Sequence, residues 1–207
     1  MTRSDRRPRR RLDPEQRRTA ILDAAREAFA HAPYEAVSVA AIAVAADASE
    51  ALVHRYFASK AALYLALLQE GIDELLGRQA AAAAALGPRA AARLHLTTSI
   101  EVYLEVVSGS PAGWAAVVQP RQDGAAAAAA RDRATERYVG LLRGLLRLEP
   151  DPVRDLALRG YLGFLDAACL AWVAAGCPAD QRRPLVEMAV GALAGALDAA
   201  GVTHALS

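Results

Sequence analysis

Ser49-Glu50-Ala51-Leu52-Val53-His54-Arg55-Tyr56-Phe57-Ala58-Ser59-Lys60 reads as a short helix, a break and the start of a second helix. Ser49 stands at an N-cap position, where its side-chain oxygen accepts from a free backbone N–H of the following turn. Just upstream, Ser38 to Ala46 forms another short helix. Val39, Ile42, Ala43 and Ala46 fall at the i, i+3, i+4, i+7 spacing of one buried face, and Ser38 is the N-cap. The two helices meet across Asp47-Ala48. Such a turn needs a residue that tolerates the left-handed region, normally Gly; here the candidate is Asp47, one of the few other residue types that visit it. A helix-turn-helix follows.

Over Arg18 to Leu63 the pattern resembles the TetR family of bacterial regulators. The resemblance rests on Ile21-Leu22-Asp23-Ala24-Ala25, Phe29, Tyr34, Ser38-Val39, Ile42-Ala43, Ala46, Ser49, Tyr56-Phe57, Ser59-Lys60 and Leu63. It covers about a quarter of the chain and keeps its spacing across three helices. Ala32-Pro33 replaces the family's Gly before Tyr34, Asp47 replaces the Gly of the turn, and His54 stands where the family most often has Tyr. The first two leave the fold alone, since Pro33 also stops a helix and disfavours helical geometry at Ala32. The third falls on a DNA contact and is expected to change how the operator is read.

Composition agrees with an all-α chain. Hydrophobic residues make up 54% and aromatics 5% of the 207 residues, so the interior is built mainly from Ala, Leu and Val. Ala is the best helix former, whereas strands favour branched and aromatic side chains. The formal charge of +1 hides an asymmetry, because residues 1–60 carry 11 basic and 8 acidic side chains. Six arginines, Arg3, Arg6, Arg7, Arg9, Arg10 and Arg11, surround Pro8, and Lys60 is the sole lysine of the chain. The arginine run has no apolar partner to bury. It is either a solvated tail or an arm that follows phosphates or enters a minor groove, and its place before the first helix favours the arm, chiefly Arg7, Arg9, Arg10 and Arg11. No apolar segment follows it, so a signal peptide is not expected. Cys169 and Cys177 have no metal-ligand spacing and, on one helix, would lie about 12 Å apart along its axis, beyond disulfide reach. A cytoplasmic, reducing location fits. Gly160 to Cys177 is the most apolar later stretch, but Asp166 near its middle points to a buried helix and not a membrane span.

Punctuation divides the chain into about nine helices. The first is expected from Pro14 to Ala30 with Asp13 as N-cap and Pro14 at the first helical position, and the fourth from Ser59 to Ala85, ended by Gly87-Pro88. Later breaks leave helix-length pieces near 89–108, 111–118, 125–148, 152–175 and 181–200. The runs Ala80 to Ala85 and Ala125 to Ala130 read as helix, because alanine propagates it. The expected organisation is a basic arm over 1–12, a helix-turn-helix DNA-binding domain over 13–60, and a helical effector-binding and dimerisation domain over 61–207. The last two helices are apolar nearly all round, which suits burial both within the domain and against a twofold partner. The resemblance implies the same pair in a four-helix interface. Leu165, Asp166, Cys169, Trp172, Met188, Gly191 and Gly195 are its candidates, with the two glycines allowing close backbone approach or merely tolerated.

A helix from Ser49 to Phe57 would be about 13 Å long and fits a major groove about 12 Å wide. Glu50, Ala51 and Leu52 would face base edges, with His54 and Arg55 next along. Arg55 either donates twice to guanine O6 and N7 or meets a phosphate; Glu50 accepts from cytosine or stays solvated. Lys60, beside the positive end of the fourth helix, is expected to clamp a phosphate, and Ser38 to serve a second one. Ser49 and Tyr56 complete the DNA-facing set. In the larger domain, Tyr103, Trp114, Tyr138, Phe164 and Trp172 are candidates for lining an effector cavity, with core packing as the alternative. Asp166, if buried, needs a partner: an arginine across the dimer, which is the favoured reading, or a cationic ligand; the third alternative is that it is less buried than its apolar surroundings suggest. The histidines at 31, 54, 95 and 204 form no metal pattern. No nucleophile-base set or glycine-rich phosphate loop appears, so neither an enzyme nor a cofactor is expected. The resemblance implies a homodimeric repressor bound to an inverted-repeat operator and released by an unidentified small molecule. Alternatives are an activator of the same type, or a helical carrier or enzyme.

Overall fold

The computed structural model describes residues 13–32, 34–118, 125–203 and 206. The basic arm with Arg7, Arg9, Arg10 and Arg11, as well as Pro33, Pro120 to Gly124 and His204, lies outside the described residues. Among the described residues there is no strand, and nine α-helices follow in order: α1 Pro14–His31, α2 Val39–Ala45, α3 Glu50–Tyr56, α4 Lys60–Leu86, α5 Ala92–Gly109, α6 Pro111–Val118, α7 Ala125–Leu146, α8 Pro152–Ala174 and α9 Ala179–Ala199. A short 3-10 turn, Tyr34–Ala36, joins α1 to α2.

Helix ends follow side-chain chemistry. Asp13 caps α1 in a reciprocal capping box with Gln16, and Ser38, Ser49 and Ser59 each accept from the backbone N–H three residues on. Asp47 adopts φ 47° and Gly87 φ 79°, the left-handed geometry that ends α2 and α4. Helix α7 stops at Leu146, short of the expected 148, because Arg147 turns left-handed with φ 53°. The α8–α9 corner is built by Gly176 and Cys177, both at positive φ, with Cys177 N–H donating to Trp172 C=O at 2.9 Å. Cys177 therefore lies beyond α8, and both cysteines are free.

The core has two parts. Ile21, Leu22, Ala25 and Phe29 of α1 pack with Ile42, Ala43, Val53, Phe57 and the first half of α4 to Leu68. Leu75 of α4 instead joins the cluster of α5, α8 and α9, with Leu104, Leu158, Cys169, Leu193 and Leu197 fully buried. Helix α4 is thus shared between the two, as its length of 27 residues allows. Among the described residues α8 is long and apolar enough to cross a membrane, with mean hydropathy 1.4. In this chain it packs on α9 and carries the half-buried Asp166.

Candidate nucleic-acid interface and internal cavity

The helix-turn-helix presents α3 outward. Val53 is buried and Phe57, just past its end, packs on the same core; Glu50, Ala51, His54 and Arg55 are exposed, and Leu52 and Tyr56 are partly so. Ser49 Oγ holds the helix start through Leu52 N–H at 3.2 Å. His54 Nε2 lies 3.8 Å from Glu50 Oε1 one turn away, while Arg55 is exposed and makes no hydrogen bond or ion pair among the described residues. The turn is pinned from α1: Arg17 donates to the carbonyls of Ala46 and Asp47 at 3.0 and 3.1 Å. Arg18 sits over the Phe57 ring at 5.5 Å and pairs with Glu70 of α4 at 2.7 Å. Neither arginine was singled out by the sequence, since their partners lie 29 or more residues away.

Lys60 differs from its expected role. Its Nζ donates to the carbonyls of Tyr34 and Val37 at 2.9 and 3.1 Å and stands 4.4 Å over the Tyr34 ring. The ammonium therefore closes the α1–α2 connection instead of reaching out for a phosphate. An ammonium with three donors can serve both carbonyls at once.

A cavity of about 330 Å³ runs between α1, α4, α5, α6, α7 and α8. Phe29 and Ala30 of α1 stand in its wall, as do Tyr64 of α4, Tyr103 and Trp114, Tyr138, and Tyr161, Leu165 and Asp166 of α8. Phe29 and Tyr64 are also part of an aromatic triad with Tyr34, with ring centroids 5.1 to 5.8 Å apart. Asp166 accepts from Tyr103 Oη at 2.7 Å, and Tyr103 Oη accepts from Trp114 Nε1 at 3.1 Å. Burial raises the Asp166 carboxyl above its usual range, opposed by the bond from Tyr103. The Tyr103 phenol is pushed well up, first by burial and then by the nearby Asp166 charge. The Tyr138 hydroxyl is buried without a hydrogen-bond partner.

Of the five aromatic cavity candidates, Tyr103, Trp114 and Tyr138 line the cavity. Phe164 points outward, and Trp172 is a core residue whose indole N–H donates to the Pro178 carbonyl at 3.0 Å. The dimer candidates also separate. Leu165, Cys169 and Trp172 are buried within the protomer's own core and Asp166 faces the cavity, so none of the four is available to a partner. Burial pushes the Cys169 thiol up to about 12. Met188, Gly191 and Gly195 of α9 are exposed, alongside Leu156, Gly160, Gly163, Phe164, Ala167 and Ala171 of α8. The misassignment arose because two apolar stripes on one helix do not say which faces inward.

Residues 21–67 match the family model for bacterial regulatory proteins of the tetR family, spanning α1 to the middle of α4. The matched segment contains the helix-turn-helix of α2 and α3. A TetR-family transcriptional regulator from Streptomyces coelicolor superposes with a TM-score of 0.76 over 92% of this chain and 84% of that one, at 24% identity. The FadR regulator from Bacillus subtilis, solved in complex with stearoyl-CoA, gives 0.71 over 84% of this chain and 98% of its own, at 20% identity. The transcriptional activator FasR of Mycolicibacterium smegmatis is 32% identical over 106 residues, half of this chain and 46% of that protein. The match thus spans under half the length of that relative. In the TetR-family frame, α2 and α3 are the helix-turn-helix and α3 is its exposed second helix. The likeness thus covers the family model over residues 21–67 and the fold over most of the chain.

Proposed function

We propose that the protein is a homodimeric, cytoplasmic repressor that leaves an inverted-repeat operator when a small apolar molecule enters the cavity. The observation that supports this reading best is the shared wall of the cavity: Asp166 of α8 closes one side, and Phe29 and Ala30 of α1 stand at another. A ligand that spreads this wall acts on the helix whose Arg17 holds the α2–α3 turn. The DNA-competent spacing of the two recognition helices then loses population. Helix α6 completes the link, because a Cβ on Gly113 would stand 3.9 Å from that of Ala30.

On DNA, Glu50, Ala51 and Leu52 face base edges, with His54 and Arg55 following along the groove. Ser38, Ser49 and Tyr56 lie toward the backbone, and the arm arginines Arg7, Arg9, Arg10 and Arg11 track phosphates. Residues 13–60 with the first half of α4 form the reading domain, and the rest holds the effector and the partner. The exposed stripe of Leu156, Gly160, Gly163 and Phe164 on α8, beside Met188, Gly191 and Gly195 on α9, pairs with its own copy. Small side chains there let four helices approach. FadR bound to stearoyl-CoA supports a ligand with a long apolar body.

The test is anisotropy of a labelled fragment from the gene's own upstream region, with unrelated DNA as control. Arg55→Ala should cost about 1–3 kcal/mol on the operator and little on unrelated DNA. An equal loss on both would leave Arg55 on the backbone only. The likeness to FasR, an activator, favours a second reading in which the same complex raises transcription. A reporter that falls when the gene is deleted would select it.

A further inference from the structure

We propose that the cavity takes a lipophilic cation: an apolar molecule bearing a protonated amine whose N–H groups meet the free oxygen of Asp166. The inference deepens the effector reading and rests on it.

Hydrogen-bond direction comes first. The Trp114 indole has a proton to give and no lone pair to offer, so Tyr103 Oη must accept from it at 3.1 Å. The single phenolic proton of Tyr103 then goes to Asp166 Oδ1 at 2.7 Å. The relay ends on a carboxylate acting as acceptor, and among the described residues Asp166 Oδ2 accepts no hydrogen bond while its side chain lines the cavity. What fits next to it is a donor.

Charge is the second observation. Among the described residues no basic side chain pairs with Asp166; of the two arginines in the wall, Arg26 is held by Asp23 at 2.6 Å and Glu70 at 3.6 Å, and Arg131 is engaged in an interaction of its own. A carboxylate withdrawn from water without a counter-charge is costly, and an ammonium supplies both the charge and the hydrogen bonds. A carboxylate ligand would meet like charge instead. Trp114, Tyr138 and Tyr161 share the wall with Asp166, and aromatic surface attracts cations as well as apolar chains.

Calorimetric titration at neutral pH with decylamine, decanol and decanoate, which share a chain and differ in the head, tests this. Decylamine should bind about tenfold or more tighter than decanol, the range of a charge-assisted hydrogen bond. Asp166→Asn, which can still accept from Tyr103, should abolish the amine preference, so that in the variant decylamine binds no tighter than decanol. The wild-type comparison stands even where the variant folds poorly. Decanol or decanoate binding as tightly as decylamine, or an amine preference that survives in Asp166→Asn, overturns the proposal. If all three bind alike and release DNA, the effector reading survives and the amine fails; if none binds, both fail while operator binding is unaffected.

Discussion

At Lys60 two backbone carbonyls and one aromatic ring share a single ammonium. Lys60→Ala removes the ammonium's hydrogen bonds to the Tyr34 and Val37 carbonyls and should cost about 1–3 kcal/mol in urea unfolding, with the salt dependence of DNA binding unchanged. A slope reduced by about 1 with stability intact would return the ammonium to a phosphate. Asp166 gives a pH signature. Its folded pKa is raised by burial, so the folded state binds the proton more tightly than the unfolded chain does. Stability must then fall as pH rises from the ordinary carboxylate range through the raised value, and the loss is complete above it. Thermal unfolding of Asp166→Asn should match wild type in acid and exceed it at neutral pH. A constant offset would place Asp166 in solvent. The sequence marked both residues as unusual but not their partners: Tyr103 lies 63 residues from Asp166, and no local pattern spans that gap.

At the level of elements, local chemistry was readable because it is local. Asp13, Ser38, Ser49 and Ser59 are separated from the N–H groups they cap by three residues, and Asp47 takes the left-handed turn with φ 47°. Ser49→Ala should weaken the start of α3 by about 1 kcal/mol and lower operator affinity with it. Asp47→Val, a branched side chain at positive φ, should destabilise the reading domain by about 1–2 kcal/mol. Equal melting of Asp47→Val and wild type would deny that the turn is strained. Orientation was less readable. The apolar faces of α8 are adjacent, and the packing of α9 and α5 decided that Leu165 and Cys169 go inside while Phe164 stays out.

For the whole molecule, a single protomer leaves Leu156 69% and Met188 55% exposed on neighbouring helices. Met188→Glu should therefore convert a dimer to a monomer in sedimentation while far-ultraviolet dichroism is retained; a dimer that persists would move the interface elsewhere. The cavity likewise belongs to the assembled fold, since six helices contribute to it. The central claim is that two copies read one operator. Sedimentation of the protein on a fragment of its own upstream region, across a salt series, tests it most directly. Two protomers on an inverted repeat, with affinity falling steeply as salt rises, is the predicted result. One protomer per site, or equal weak binding to unrelated DNA, would contradict it.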